Sequence, residues 1–261
     1  MTPDQPFQPL GPPPEPLPSE EAAPSVDTNR YPFWRYSDVA LFAGLVVASA
    51  LISIVLVPML FSGFHIHVQT KVTEAIIMQG LLYLLAFSGL AMLFQVEYQR
   101  PLWRSLGWTS FQLPAWRVVA SGIATAFGVG VVSILLRTPN TSNRMTEMMQ
   151  DPHAVIPVAI FAITFGPLAE ELAFRGFLQP LLVRSLGPVK GVVAAAIPFG
   201  LLHFQEYGNS WRHALLISLA GSAFGWMRYR TGSAKASTLM HASYNALEFV
   251  GFLAQPKGPH T

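Results

Sequence analysis

Long apolar segments without charged residues alternate with short polar connections along most of this 261-residue chain. The stretch from Val39 to Thr70, for example, contains no Lys, Arg, Asp or Glu. A helix needs about 20 apolar residues to cross the hydrocarbon core of a bilayer. The pattern therefore predicts an all-α fold, a polytopic transmembrane helical bundle of about seven spans, with eight as the alternative count. The predicted spans lie near residues 37–61, 72–94, 115–136, 154–183, 189–204, 211–229 and 234–254.

The segments outside these spans have a different composition. Residues 1–30 contain nine prolines and a net negative charge, which predicts a disordered Pro-rich tail. Between the second and third spans, Pro101 to Phe111 combines two tryptophans with Arg104, a mixture typical of a helix at the membrane interface. We expect four regions: an N-terminal tail at 1–36, transmembrane and interfacial helices at 37–150, a second transmembrane domain at 151–254 and a C-terminal tail at 255–261.

Composition and charge limit which binding partners and which cellular location are expected. Apolar residues make up 51% of the chain and charged residues 11%, so membrane lipids are the first expected partner. The net charge of +2 gives no support for nucleic-acid binding. The absence of cysteine excludes thiolate nucleophiles and disulfides. With the N-terminus inside, most loop Lys and Arg residues fall on the cytoplasmic side, so the positive-inside rule predicts a cytoplasmic N-terminus. The expected location is a bacterial inner (plasma) membrane.

Ionisable residues inside apolar segments usually mark a functional site, because burying them in a membrane is costly. The fourth span contains Glu170, Glu171 and Arg175. Glu171 and Arg175 are four residues apart on a helix, which predicts an ion pair. Glu170 points about 100° away and is left free to act as a general base. Pro167 frees a backbone carbonyl just upstream. The alternative is a buried charge network that only orients helices.

Two further places in the C-terminal third carry polar residues within apolar surroundings. His203 ends the fifth apolar segment and, taken alone, is also typical of an interfacial residue. His241 and Asn245 are four residues apart and share one face of a helix, where both can donate hydrogen bonds to a developing oxyanion. Interhelical hydrogen bonding is the alternative role for this pair. Glu248 either orients the imidazole of His241 or sits at the membrane boundary, and we favour the boundary.

These three sites, in this order, resemble the motifs of the CAAX-processing and bacteriocin-processing (CPBP, or Abi) family of intramembrane proteases, whose relatives include the type II CAAX prenyl endopeptidases. The resemblance covers roughly residues 154–250. It comprises an EExxxR motif with Phe174, Gly176 and Phe177 beside it, an FxxxH motif formed by Phe199 and His203, and an HxxxN motif preceded by the turn Thr231, Gly232 and Ser233. The region 151–254 is accordingly expected to be the catalytic domain.

The resemblance implies a glutamate-dependent endopeptidase that needs no metal cofactor. Glu170 would activate a water molecule, assisted by His203. His241 and Asn245 would stabilise the oxyanion, whereas Glu171 and Arg175 would be structural or orienting residues. The substrate would be a membrane-associated peptide or protein, and the sequence does not say whether it is lipidated.

Three alternatives stay open at the level of sequence. Glu170, His203 and His241 have side chains that suit Zn²⁺, which would make the protein a zinc-dependent intramembrane metalloprotease. A non-catalytic membrane scaffold or immunity protein could use the same fold for binding. Buried carboxylates and histidines also form the proton relays of transporters.

Overall fold

The computed structural model describes residues 30–65, 70–139, 141 and 144–254, and this part of the chain is helical without β-strands. Every predicted apolar segment corresponds to a helix, which confirms the all-α class. The disorder predicted for the tail falls mostly on residues 1–29, and the C-terminal tail on 255–261; both lie outside the described residues. The helices are α1 (Tyr36–Gly63), α2 (Lys71–Tyr98), α3 (Leu102–Ser105), α4 (Ala115–Leu135), α5 (Arg144–Met148), α6 (Val155–Leu186), α7 (Pro188–Leu202), α8 (Trp211–Thr231) and α9 (Ala234–Leu253).

Four of the described helices, α1, α2, α4 and α6, are long and apolar enough to cross a membrane. The α7 helix is apolar but shorter. Much of the α1 surface is apolar and exposed, as at Leu51, Ile54 and Val55, which suits contact with lipid chains. The protein is therefore an integral membrane protein. The total of seven spans and the cytoplasmic N-terminus stay predictions.

The interfacial segment is less helical than the sequence indicated. We expected a helix over Pro101 to Phe111, but helical structure is confined to Leu102–Ser105. Gly107 has a φ of +76°, in the left-handed region, and so ends the helix. Its carbonyl accepts a hydrogen bond of 2.8 Å from the Ala234 amide. The segment therefore anchors the beginning of α9.

A short turn connects α8 to α9 and sets the position of α9. Gly232 ends α8 in the left-handed conformation, with its amide donating to the Arg228 carbonyl. Ser233 then caps α9 by accepting a hydrogen bond from the Ala236 amide. This is the turn that the sequence marks with Thr-Gly-Ser, and it starts the helix that carries His241 and Asn245.

An aromatic cluster joins the first two helices to α6. Trp34 is fully buried, and its Nε1 donates a hydrogen bond of 3.0 Å to the Phe177 carbonyl. Its indole ring stacks on Phe94 and Phe177, with ring centroids 5.4 and 5.5 Å apart. Trp34 falls inside the region that we had assigned to the tail. The packed part of the molecule therefore begins ahead of α1.

The α6 helix departs from regular α-helical geometry in two places. Residues Phe161–Phe165 and Leu172–Leu178 are π-helical. Their final turns are closed by the Gly166 amide, which donates to the Phe161 carbonyl, and by the Gln179 amide, which donates to Phe174. A proline follows each of these donors directly, at positions 167 and 180. Because proline has no N–H, the helix lacks a donor after each π-helical segment, and a backbone carbonyl there is left to accept a hydrogen bond from another partner.

Candidate active site

The predicted ion pair forms in the middle of α6. Arg175 Nη1 lies 3.0 Å from Glu171 Oε1, and both side chains are almost completely buried. Arg175 Nη2 also donates a hydrogen bond of 2.8 Å to the Gly221 carbonyl of α8. The guanidinium lies 4.3 Å from the centre of the Phe199 ring, at cation–π distance. The charge of Arg175 is thus satisfied on several sides, which confirms its pairing with Glu171.

Close approach of α8 makes this arrangement possible. A Cβ atom on Gly221 would lie 2.8 Å from Arg175 Nη2 and 2.8 Å from the Phe199 ring. One helical turn later, Gly225 accepts a hydrogen bond from Gln179. We did not single out these two glycines from the sequence, although their spacing of four residues is the signal for close helix packing in membranes.

His241 on α9 lies against both glutamates. Its Nδ1 is 3.1 Å from Glu171 Oε1, and its Nε2 is 3.8 Å from Glu170 Oε2. The ring stacks on Phe224 with centroids 4.4 Å apart. A carboxylate can only accept, so Nδ1 donates to Glu171 and the orientation of the imidazole is fixed. Glu248 is exposed, in keeping with the boundary role that we favoured for it.

The contact between His241 and Glu171 was not predicted. The two residues are 70 positions apart, on helices whose packing determines the contact. The sequence spacing within each helix identified both side chains as buried polar groups but contains no information on how α6 and α9 face each other. Phe224, which supports the imidazole, was missed because an apolar residue on an apolar helix gives no distinct signal.

Glu170 is the less constrained of the two glutamates. Its side chain is 28% exposed, whereas that of Glu171 is completely buried. At 3.8 Å its carboxylate is too far from His241 Nε2 for a hydrogen bond but close enough for an electrostatic interaction. Glu170 is therefore the more accessible of the two carboxylates.

His203 follows the last residue of α7. Its Nδ1 is 2.9 Å from the Phe199 carbonyl, so this nitrogen carries the proton in the neutral ring and Nε2 is the acceptor. The ring contacts Phe199 at 5.1 Å, and His241 contacts the same phenyl ring at 5.9 Å. Within the described residues His203 makes no direct polar contact with Glu170. The structure thus links the two histidines through Phe199.

Asn245 contacts α6 at a different point. Its Nδ2 donates a hydrogen bond of 2.8 Å to the Ala162 carbonyl, which lies in the first π-helical segment. This is an interhelical hydrogen bond of the kind considered as the alternative role. The amide keeps a second N–H, because Nδ2 carries two. Asn245 therefore makes a structural contact and retains a donor.

The zinc alternative requires three ligand side chains that converge. Among the residues that the structure describes, no three His, Asp or Glu side chains are grouped closely enough to hold a metal ion. Glu170 and His241 approach each other, but His203 does not join them in a ligand set.

These features define a class of protein: an integral membrane protein of helices with a carboxylate–histidine site buried between α6 and α9. Residues 152–247 match the family model described as type II CAAX prenyl endopeptidase Rce1-like. The matched segment is thus similar to type II CAAX prenyl endopeptidases, and it includes all six site residues.

The chain is also similar to a curated protein over part of its length. The chain is 29% identical over 111 residues to CAAX prenyl protease 2 of Caenorhabditis elegans. The alignment covers 37% of this chain and 42% of the relative, so less than half of the length of that protein is spanned. No solved structure matches the chain.

Proposed function

We propose that this protein is an intramembrane endopeptidase of glutamic type, in which Glu170 activates the water that hydrolyses the peptide bond. One observation carries the proposal. Of the two adjacent glutamates, Glu171 is held by Arg175 and His241, whereas Glu170 is partly exposed and forms no hydrogen bond with either of them. A general base needs a carboxylate that can reach a water molecule.

In the proposed reaction Glu170 takes a proton from water while the water oxygen attacks the scissile carbonyl carbon. His203 Nε2, the acceptor nitrogen of that ring, accepts a hydrogen bond from the second water proton. The carbonyl oxygen becomes negatively charged in the tetrahedral intermediate. Glu170 then gives its proton to the leaving amine as the carbon–nitrogen bond breaks, which restores the carboxylate.

His241 and Asn245 are proposed to stabilise the oxyanion. Because Nδ1 of His241 donates to Glu171, the imidazole has to carry both protons in order to donate through Nε2 as well. The doubly protonated ring would be flanked by Glu171 and Glu170. The negative charges of the two carboxylates would then be balanced by the positive charges of Arg175 and His241.

We propose a membrane-associated peptide or protein as the substrate, and a lipidated one in particular. The support is the name of the relative, CAAX prenyl protease 2, together with the position of the site on apolar helices. The chemistry described here requires no metal.

The test is cleavage of a prenylated and an unprenylated CAAX peptide by the purified full-length protein in liposomes. Replacing the Glu170 carboxylate by an amide removes the base, so Glu170→Gln is expected to lower kcat by about 100-fold or more. The matched control is Glu248→Gln, the same change at an exposed glutamate of α9, which should keep wild-type activity. Retained cleavage by Glu170→Gln, or loss of wild-type cleavage on treatment with a zinc chelator, would contradict the proposal.

A further inference from the structure

The first π-helical segment of α6 leaves one backbone carbonyl without an N–H donor from its own helix. The Gly166 amide donates to Phe161, five residues earlier. In the same register the next donor would be residue 167, and its partner would be the Ala162 carbonyl. Residue 167 is proline, which has no N–H, and it is fully buried. The Ala162 carbonyl is therefore open to a partner from another helix.

Asn245 supplies that partner. Its Nδ2 lies 2.8 Å from the Ala162 oxygen. A primary amide presents two donors at one end and an acceptor at the other, and a carbonyl oxygen accepts only from the donor end. A flipped amide would bring two oxygens together. The Ala162 carbonyl consequently selects one orientation of the Asn245 amide.

We propose that Pro167 is a positioning residue, which keeps the Ala162 carbonyl free and thereby fixes the orientation of the Asn245 amide. The catalytic consequence rests on the proposed function, because it is the second N–H of the same amide that would reach the oxyanion. The contact itself does not depend on that function. The N–H that is missing at Pro167 of α6 thus determines the orientation of the Asn245 amide on α9.

Pro167→Ala supplies the missing N–H, which competes with Asn245 for the Ala162 carbonyl. We expect kcat to fall about tenfold with little change in KM, because the amide is needed in the transition state rather than for substrate binding. Asn245→Ala removes the donor altogether and should lower kcat about 100-fold. The control is Pro157→Ala. Pro157 lies in the first turn of the same helix, where a backbone N–H has no acceptor within the helix, so activity should be unchanged.

A double-mutant cycle separates positioning from general helix stability. In the Asn245→Ala background, Pro167→Ala should cause no further loss of kcat, because the amide that it disturbs is absent. A merely structural role of Pro167 would instead lower activity by the same factor in both backgrounds. Independent, multiplicative effects would overturn the proposal.

The same double-mutant cycle can be measured by thermal unfolding in detergent. This measurement tests the contact between Asn245 and Ala162 even if the protein proves not to be a protease. The shifts in unfolding temperature for the two single variants should not add up in the double variant. A fourth variant, Asn245→Asp, keeps the shape but has no N–H for Ala162, and it covers the case in which Pro167→Ala does not fold. Additive shifts, or wild-type unfolding of Asn245→Asp, would overturn the proposal, whereas absence of wild-type cleavage alone would overturn only the proposed function.

Discussion

At the scale of single residues, the site separates two neighbouring carboxylates by their environment. Glu171 is buried, and it contacts Arg175 at 3.0 Å and His241 at 3.1 Å. Glu170 is one residue earlier and partly exposed. A helix rotates about 100° between adjacent residues, so a single sequence motif presents one carboxylate to the protein interior and leaves the other partly exposed. The difference in exposure follows from this rotation, and the proposed division of roles rests on it.

The buried pair predicts a large loss of stability when one partner is removed. Glu171→Ala leaves the Arg175 guanidinium buried without its carboxylate, which costs about 3–5 kcal/mol. The free energy of unfolding, measured by denaturant titration in mild detergent, should fall by that amount. Glu248→Ala, at an exposed glutamate, is the control and should change it little. Equal stability of the two variants would show that the pair does not hold the site together.

The sequence could predict the candidate site residues because polar and ionisable side chains are rare in apolar helices. The pairing of Glu171 with Arg175 followed from their spacing within one helix. The contact of Glu171 with His241 could not be predicted, since it depends on the packing of two helices that are far apart in sequence. The same holds for Asn245, whose residue type was identified but whose partner, Ala162, is a backbone carbonyl with no signature of its own.

At the scale of helices, local backbone geometry determines how closely the elements approach. Seven helices could be predicted from apolar segments, because the length and hydropathy of a segment are local properties. The π-helical segments of α6 were not predicted, although Pro167 indicated a freed carbonyl. The helix expected over Pro101 to Phe111 was wrong beyond Ser105, because Gly107 takes a left-handed conformation there.

The contact between α6 and α8 predicts a strict size limit at one glycine. Gly221→Ala places a methyl group within 2.8 Å of both Arg175 and the Phe199 ring, which cannot be accommodated without displacement. We expect a loss of about 1–3 kcal/mol in unfolding free energy, together with reduced cleavage. Gly128→Ala is the matched control, because no atom lies within 4 Å of the added methyl group on α4. That change should be neutral or stabilising by about 0.5–1 kcal/mol. A tolerated Gly221→Ala would contradict the close packing.

At the scale of the whole molecule, the segment before α1 connects the N-terminal helices to the site domain. Trp34 packs between Phe94 of α2 and Phe177 of α6, two residues beyond Arg175. The matched family segment, 152–247, therefore does not stand alone in the fold. Residues outside it contribute to the position of the helix that carries the two glutamates.

This connection predicts that Trp34 is important for stability despite lying outside the family segment. Trp34→Ala removes a fully buried indole and should cost about 3–5 kcal/mol. Trp116→Ala, at a tryptophan that is 67% exposed on α4, serves as the control in the same unfolding assay. If the two variants unfold alike, the segment before α1 does not support α6.

In the proposed mechanism a water molecule, activated by Glu170, attacks the peptide bond directly. Single-turnover cleavage in ¹⁸O-labelled water containing hydroxylamine, followed by mass spectrometry of the new C-terminus, tests this step, because hydroxylamine diverts an acyl-enzyme to a hydroxamate. We predict one ¹⁸O atom in a free carboxylate, no hydroxamate, and no such product from Glu170→Gln. A hydroxamate, or an unlabelled carboxylate after a single turnover, would show that a protein group attacked first, and it would contradict the proposed mechanism.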